Sequence, residues 1–405
     1  MAQQVLIYRL TGSASALGIV SFIQFLPLIP FALWGGTLAD RFPKRTLVII
    51  TQTLMMVQAF LLALFTWTGV IEIWHIYLMA FMLGAAKAVD MPARQSFIVE
   101  MVEGKEDLTS AIGLNSAIHN LARTLGPALA GVVVAALGEA VAFSVNGLSF
   151  LAVIGSLLMM RGFAHPPAVK AEQVPVLAGI KEGAKYVLGQ QTILVLMSLV
   201  AVSSFLARPY STLMPVFADV LLGESSRPVV SFICDGENPL LHCQAPEALP
   251  LGLLLSAVGV GAVIGAFVVA SLPRGARRGW LLTIGNLALP FSLLLFVVSR
   301  SFLLSMALLV LVGLSQVFQN SLANTLLQIT TPDNLRGRVM SLYTLTFQGM
   351  MRAGGLQAGL VAGRVTYGDL CFCSSGSLVA VGKAKSDFTW GARVGADLRL
   401  GQGDG

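Results

Sequence analysis

In a chain that is 56% hydrophobic and 11% charged, charged residues inside apolar stretches are the first candidates for chemistry. Lys87, Asp90 and Arg94 recur at i, i+3 and i+7, which puts the acid within helical reach of both bases. Charges near a membrane interior are costly unless paired, so this cluster needs a partner or a local solution that lets a helix end at Pro92. A second group crowds the stretch GGTLADRFPKRTL, where Gly36 and Asp40 precede Arg41, Lys44 and Arg45. A glycine at a helix end permits close backbone approach, and an aspartate can face the positive N-terminal end of a neighbouring helix. The three bases have a second use, as anchors that hold the loop in the cytoplasm.

Other polar residues sit inside apolar runs. Gln316, Asn320, Asn324 and Gln328 are spaced by four and drift about 40° per step on a helix, forming one polar stripe. Such amides either join neighbouring helices or line a watery cavity, and the spacing does not separate the two. Proton coupling calls for an acid or histidine inside the bundle, and the candidates are Asp90 and His119. A lone histidine is equally a packing residue. Gly126 and Pro127 would loosen a helix, Gly131 would permit close packing, and Gly261 with Gly265 forms a small-xxx-small pair.

Enzyme chemistry has little footing. No phosphate-cradling Gly-x-x-x-x-Gly-Lys-Ser/Thr loop is present, the four histidines are scattered, and no paired acids occur in the apolar runs. No catalytic residue, metal site or cofactor is assigned. An intramembrane enzyme remains the alternative of another class.

The elements that must position these residues are apolar runs of about 20 residues, long enough to cross roughly 30 Å of hydrocarbon. Repeated runs without two-residue alternation predict an all-α, polytopic helical membrane protein. We place ten spans at about 16–39, 46–69, 75–92, 111–137, 141–160, 191–217, 250–272, 279–299, 301–327 and 339–363. Of the 26 Lys and Arg, fourteen fall in alternate connections on one side of these spans, among them Arg41, Lys44, Arg45, Arg94, Lys105, Arg336 and Arg338. Only Arg9, Arg227 and Arg300 fall on the other, so the basic side is expected to be cytoplasmic. The net charge of +6 therefore reflects topology, and a nucleic-acid partner is set aside. Cys234 and Cys243 share the long outer connection 218–249, where an oxidising compartment permits a disulfide; they stand here as either bridged or free.

The segment 162–190 carries Pro166, Pro167 and Pro175 and divides five spans from five. DRFPKRTLVI resembles PRGARRGWLLTI, and VEGKEDLTSAIGLNS resembles TTPDNLRGRVMSLYT, each pair about 230 residues apart. Parallel repeats of this kind are one of the two transporter patterns.

Gly36-Thr-Leu-Ala-Asp40-Arg41-Phe-Pro-Lys44-Arg45 resembles the signature loop between helices 2 and 3 of the major facilitator superfamily. Arg123-Thr-Leu-Gly126-Pro127-Ala-Leu-Ala-Gly131 resembles the glycine-proline motif of helix 5 in exporters of that family. Asp90-Met-Pro92-Ala-Arg94-Gln95 and Asp333-Asn-Leu-Arg336-Gly-Arg338 are similar to the branch of enterobactin exporters and macrolide efflux proteins. The resemblance covers about residues 7–363 and implies a proton-coupled exporter of amphipathic small molecules, a drug or siderophore, in the inner membrane. It also implies a monomer whose partners are the bilayer, the substrate and protons. It further implies that Asp40 latches onto the helix beginning near Arg338 in the outward-open state, that Asp90 bridges to Arg41 or Arg45, and that the Gly126-Pro127 bend belongs to antiporter-type exporters.

Aligned this way, residues 1–161 are the N-terminal half-bundle (helices 2–6), 162–190 a cytoplasmic linker and 191–364 the C-terminal half-bundle (helices 7–11). Loops 2–3, 4–5, 6–7, 8–9 and 10–11 are then cytoplasmic, YRLTGSASALG is the outer 1–2 connection, and helices 1 and 12 are lacking. Residues 365–405 form a Gly-rich, non-spanning tail. A late start codon and a shifted reading frame near residue 364 account for both ends, with a truncated, non-transporting remnant as the alternative function.

Overall fold

The computed structural model describes residues 1–28, 30, 43–101, 105–160, 176–234, 243–271, 278–364, 370–374 and 377–381. Helices make up nearly all of it. The N-terminal half holds α1 (Ala2–Thr11), α2 (Ala14–Phe25), α3 (Lys44–Trp67), α4 (Ile73–Met101) and α5 (Lys105–Met159). Then come α6 (Val176–Gly189), α7 (Gln191–Leu206), α8 (Tyr210–Val216), a π-helical turn over Phe217–Leu221 and α9 (Gly223–Cys234). The C-terminal half is completed by α10 (Ala248–Ala270), α11 (Arg278–Val298), α12 (Phe302–Thr330) and α13 (Asp333–Arg364), followed by an antiparallel pair, β1 (Leu370–Ser374) with β2 (Ser377–Val381).

Several sequence expectations change here. Tyr8 to Thr11 belongs to α1, whose Val5, Leu6 and Ile7 are buried, so YRLTGSASALG is not simply a connection. Gly12 closes that helix at φ 58°, a left-handed conformation that glycine adopts without penalty, and donates its N–H to the Tyr8 carbonyl. Helix α4 runs on through Pro92 to Met101, while its apolar span closes at Arg94, near the expected end. The spans at 111–137 and 141–160 are two arms of α5, parted at Gly138 (φ 77°). The backbone remains helical through Gly126 and Pro127, and the break falls between the two expected spans. The long outer connection contains the π turn and α9, and Cys234 and Cys243 are disulfide-bonded, with Cα atoms 5.4 Å apart. Linker residues 176–189 form α6, which is docked on the C-terminal half through the Glu182–Arg338 ion pair.

Among the described residues, seven stretches are long and apolar enough to cross a membrane: Lys44–Trp67, Ile73–Arg94, Thr124–Met159, Gln191–Leu221, Ala248–Ala270, Gly279–Val298 and Phe302–Thr330. Their two faces are both apolar. In α3, Leu47, Val48, Met55, Ala59 and Leu62 are buried while Ile50, Leu54, Val57 and Leu64 are exposed. Such exposure suits lipid, where hydrophobicity no longer distinguishes inside from outside. Trp67, Trp74 and Trp280 are exposed near helix ends, the place of an interfacial aromatic belt. Helix α13 matches the span expected at 339–363 in position but falls short in apolarity, because Gln348, Arg352, Gln357 and several glycines interrupt it.

Close packing is built on glycine. A Cβ at Gly261 would lie 1.9 Å from the Val310 carbonyl oxygen, and one at Gly313 would lie 1.9 Å from that of Val258, so α10 and α12 touch backbone to backbone. Glycines 354, 355 and 359 of α13 do the same against α2, α7 and α8.

The buried clusters are distributed unevenly. At the end away from the basic loops, one cluster joins Val5, Ala14, Val134 and Ala135 of the N-terminal half to Leu213, Met214, Leu249, Leu251, Phe296 and Phe302 of the C-terminal half. At the basic end the halves keep separate cores. Leu47, Val48, Ala93, Phe97 and Leu157 form one, and Val187, Ile193, Leu327, Val339 and Tyr343 belong to the other.

Candidate functional site

Gly36, Asp40 and Arg41 of the charged loop lie outside the described residues. Lys44 opens α3, and Arg45 follows it. The Arg45 guanidinium donates to the carbonyls of Leu157 (2.8 Å) and Leu158 (3.1 Å), the last turn of α5. Those carbonyls have no helical partner, and a cation there satisfies both their hydrogen bonds and the helix dipole. The expected bridge from Asp90 to Arg45 is therefore not formed.

Asp90 instead closes a clamp between α3 and α4. Its carboxylate accepts from Thr51 Oγ1 (2.8 Å), Gln52 Nε2 (2.9 Å) and the Arg94 guanidinium (3.2 and 3.0 Å). Arg94 stands one helical turn on, as the spacing predicted. Thr51 and Gln52 were missed; the available signal was two adjacent polar residues in the apolar α3.

Lys87 and Arg352 approach each other from opposite halves, α4 and α13, closely enough that the charge of Arg352 acts on Lys87 together with that of Asp90. Lys87 is exposed and Arg352 half-buried. Two bases from opposite halves thus lie within electrostatic reach of each other. Arg208, between α7 and α8, lies over the Phe347 ring at 4.5 Å from its centroid.

The polar stripe of α12 divides along its length. Gln316 donates to the Tyr210 hydroxyl at 2.7 Å, joining α12 to α8. Asn320 and Asn324 are half-buried, and Gln328, exposed, donates to Asn324. Gln319, which the spacing passed over, donates to Asn286 Oδ1 (2.6 Å) and to Ser203, tying three helices together.

Along α5, the side chains of His119 and Arg123 lie outside the description. Space is open around Gly126, whereas a Cβ on Gly131 would lie 2.8 Å from the Gly252 Cα in α10. Thr124 Oγ1 donates to the Gly259 carbonyl at 3.1 Å, again between halves. This stretch of α5 is thus the seam between the two bundles.

At the end of the seam away from the basic loops stands a polar cluster unforeseen in the sequence. Arg9 Nη1 lies 3.0 Å from Glu139 Oε2, and Glu139 is 2% exposed. The Tyr8 hydroxyl donates to Asp219 Oδ2 at 3.3 Å. The Ala135 carbonyl accepts the N–H groups of Gln244 (2.7 Å) and Ala245 (2.9 Å), which brings Glu247 beside the cluster. Burial pushes the Glu247 carboxyl up; the charges of Glu139 and Asp219 add to this, against a backbone hydrogen bond and Arg9.

Residues 1–228 and 239–392 match the family described as transmembrane secretion effector. The chain is 23% identical over 352 residues to the staphyloferrin A transporter of Staphylococcus aureus, covering 86% of this chain and 81% of that one. It is 25% identical over 370 residues to the multidrug efflux pump Tap of Mycobacterium tuberculosis, covering 89% and 81%. It is also 23% identical over 335 residues to the enterobactin exporter EntS of Citrobacter koseri, covering 83% and 71%. In fold it is similar to the nucleoside transporter NupG (TM-score 0.66, 12% identity, 90% of this chain and 86% of that one). The inward-facing, unoccupied bacterial homolog of human Spinster gives a TM-score of 0.60 at 14% identity, covering 89% and 79%.

Proposed function

The chain belongs to the transmembrane secretion effector family of the major facilitator superfamily, and on that premise we propose that it exports amphipathic small molecules, drugs or siderophores, by alternating access in exchange for protons. The observation that carries this reading is the uneven core: at one end a cluster shared by both bundles lies beside one confined to the N-terminal half, and at the other end the clusters are separate. Halves that pack in this way can rock about their seam and expose a central surface to each side in turn.

In this reading the excess of Lys and Arg puts the basic end on the cytoplasmic side of the inner membrane, so substrate enters from inside between the separate cores. Lys87 and Arg352, from opposite halves, stand along that route. Gly36 and Asp40 then serve as the latch that closes the basic end when the other end opens. Asp90, with its carboxylate occupied by Thr51, Gln52 and Arg94, holds α3 to α4.

The relatives named for siderophores and for several drugs support an exporter over the remnant. Purified protein in vesicles loaded with rhodamine 123 or carboxyfluorescein tests it: an imposed pH gradient drives dye movement, and collapsing the gradient stops it. A flat trace with both dyes overturns the reading.

A further inference from the structure

We propose that Asp219 and Glu247, gathered at the seam with the buried Arg9–Glu139 pair, form a proton-binding gate: proton uptake holds the two halves together at the end away from the basic loops, and proton loss lets them part. The inference rests on the alternating-access reading above and gives it a site where protons act.

The cluster straddles the seam. Arg9 and Glu139 belong to the N-terminal half, and Asp219 and Glu247 to the C-terminal half. Glu139 is almost fully buried; Oε2 meets Arg9 at 3.0 Å and Oε1 has no hydrogen-bond partner. A buried carboxylate with one oxygen unmatched makes any further negative charge brought against it costly. With all carboxylates ionised, three negative charges face one guanidinium, and two of the three belong to the half opposite Glu139. A proton taken by Asp219 or Glu247 from the adjoining water removes that group's repulsion with Glu139 across the seam; opening returns it to that water.

Among the described residues, little else is placed to neutralise the acids. Arg9, Glu139 and Asp219 are the charges that act on Glu247. The Tyr8 hydroxyl bonds Asp219. Among the described residues nearby, Glu224 and Arg227 of α9 and Arg300 before α12 are exposed and make no ion pair with the cluster. Glu72 and His75 at the start of α4 bond each other, with Trp74 on Glu72.

The sign follows from burial. Glu247 holds its proton more firmly in this closed arrangement than in water, so its contribution to closure is present at low pH and is lost as pH rises through its raised value. Acid closes the gate and alkali opens it.

Spin labels on Val70→Cys and Arg300→Cys, one in each half, report the separation by pulsed electron resonance in a full chain whose Cys371 and Cys373 are serine. The expected result is one short distance at pH 5 and a longer population growing at least tenfold by pH 9. Glu247→Gln and Glu139→Gln each keep the short distance throughout, while Glu247→Asp, which keeps the charge, restores the response. A wild-type distance that ignores pH yet lengthens when carboxyfluorescein or rhodamine 123 is added overturns the proton gate and leaves alternating access standing. A distance that moves under no condition overturns both.

Discussion

Replacing Gly131 by alanine should pry the halves apart at the seam while leaving the helix that carries it intact. The added Cβ would meet the Gly252 Cα at 2.8 Å and the Ala248 carbonyl at 3.3 Å. Carbon atoms rest at about 3.5–4.0 Å, so α5 and α10 must separate by close to 1 Å. Both obstacles are backbone and have no rotamer to yield. Overpacking of this kind costs about 1–3 kcal/mol, and the whole cost falls on the closed arrangement because the two helices part when it opens. As a bias between two states, that is about 5–150-fold. The reciprocal change, Gly252→Ala, meets the Gly131 Cα at 2.8 Å and the Pro127 carbonyl at 2.9 Å and should act alike. Gly126→Ala is the internal control: it lies in the same motif, nothing stands within 4 Å of its Cβ, and alanine favours a helix by about 0.5–1 kcal/mol. The assay is the Val70 to Arg300 distance, with dye transport measured in parallel. Gly131→Ala and Gly252→Ala should populate the long distance at pH 5 and slow transport, and Gly126→Ala should do neither. Wild-type distances in Gly131→Ala, or equal damage from Gly126→Ala, would refute the argument.

Three further outcomes are expected. Asp40→Asn should slow transport without reducing the amount of protein in the membrane; unchanged initial rates would remove the latch. Asp90→Ala strips Thr51, Gln52 and Arg94 of their shared acceptor, which should cost about 1–3 kcal/mol and lower the melting temperature by several degrees in detergent. Lys87→Gln with Arg352→Gln should reduce carboxyfluorescein movement at least tenfold while rhodamine 123 is spared or quickened, and equal loss of both dyes would deny the two bases a part in charge selection.

Several features were legible along the chain because they are local. Asp90 and Arg94 are one helical turn apart, and the structure pairs them. Gly261, four residues before Gly265 in an apolar run, spoke of packing, and its missing side chain lets α10 touch α12. The division between the spans at 111–137 and 141–160 was legible in the same way, and the chain turns there at Gly138, where φ is positive. Arg45 read as a loop anchor, but its partners are carbonyls more than a hundred residues on. Glu139 gave no warning, since a single acid beside a glycine between two apolar runs has the pattern of any solvated loop.

By itself the amino-acid sequence determined that this is a helical membrane protein, where most of its helices lie, which loops share the basic side and which family motifs it carries. Those properties follow from the length of apolar runs and from charge counted along the chain. Only the tertiary structure decided which helix faces meet. It brought Tyr8 to Asp219 and Arg9 to Glu139, opposed Gly131 to Gly252, and set one shared core against two separate ones. The reason is physical: a helix in lipid is apolar all round, so hydrophobic periodicity, which tells a soluble helix which side to bury, is silent here. Contact is chosen by backbone approach at glycine and by a few polar pairs, and both become visible only when distant segments are placed side by side.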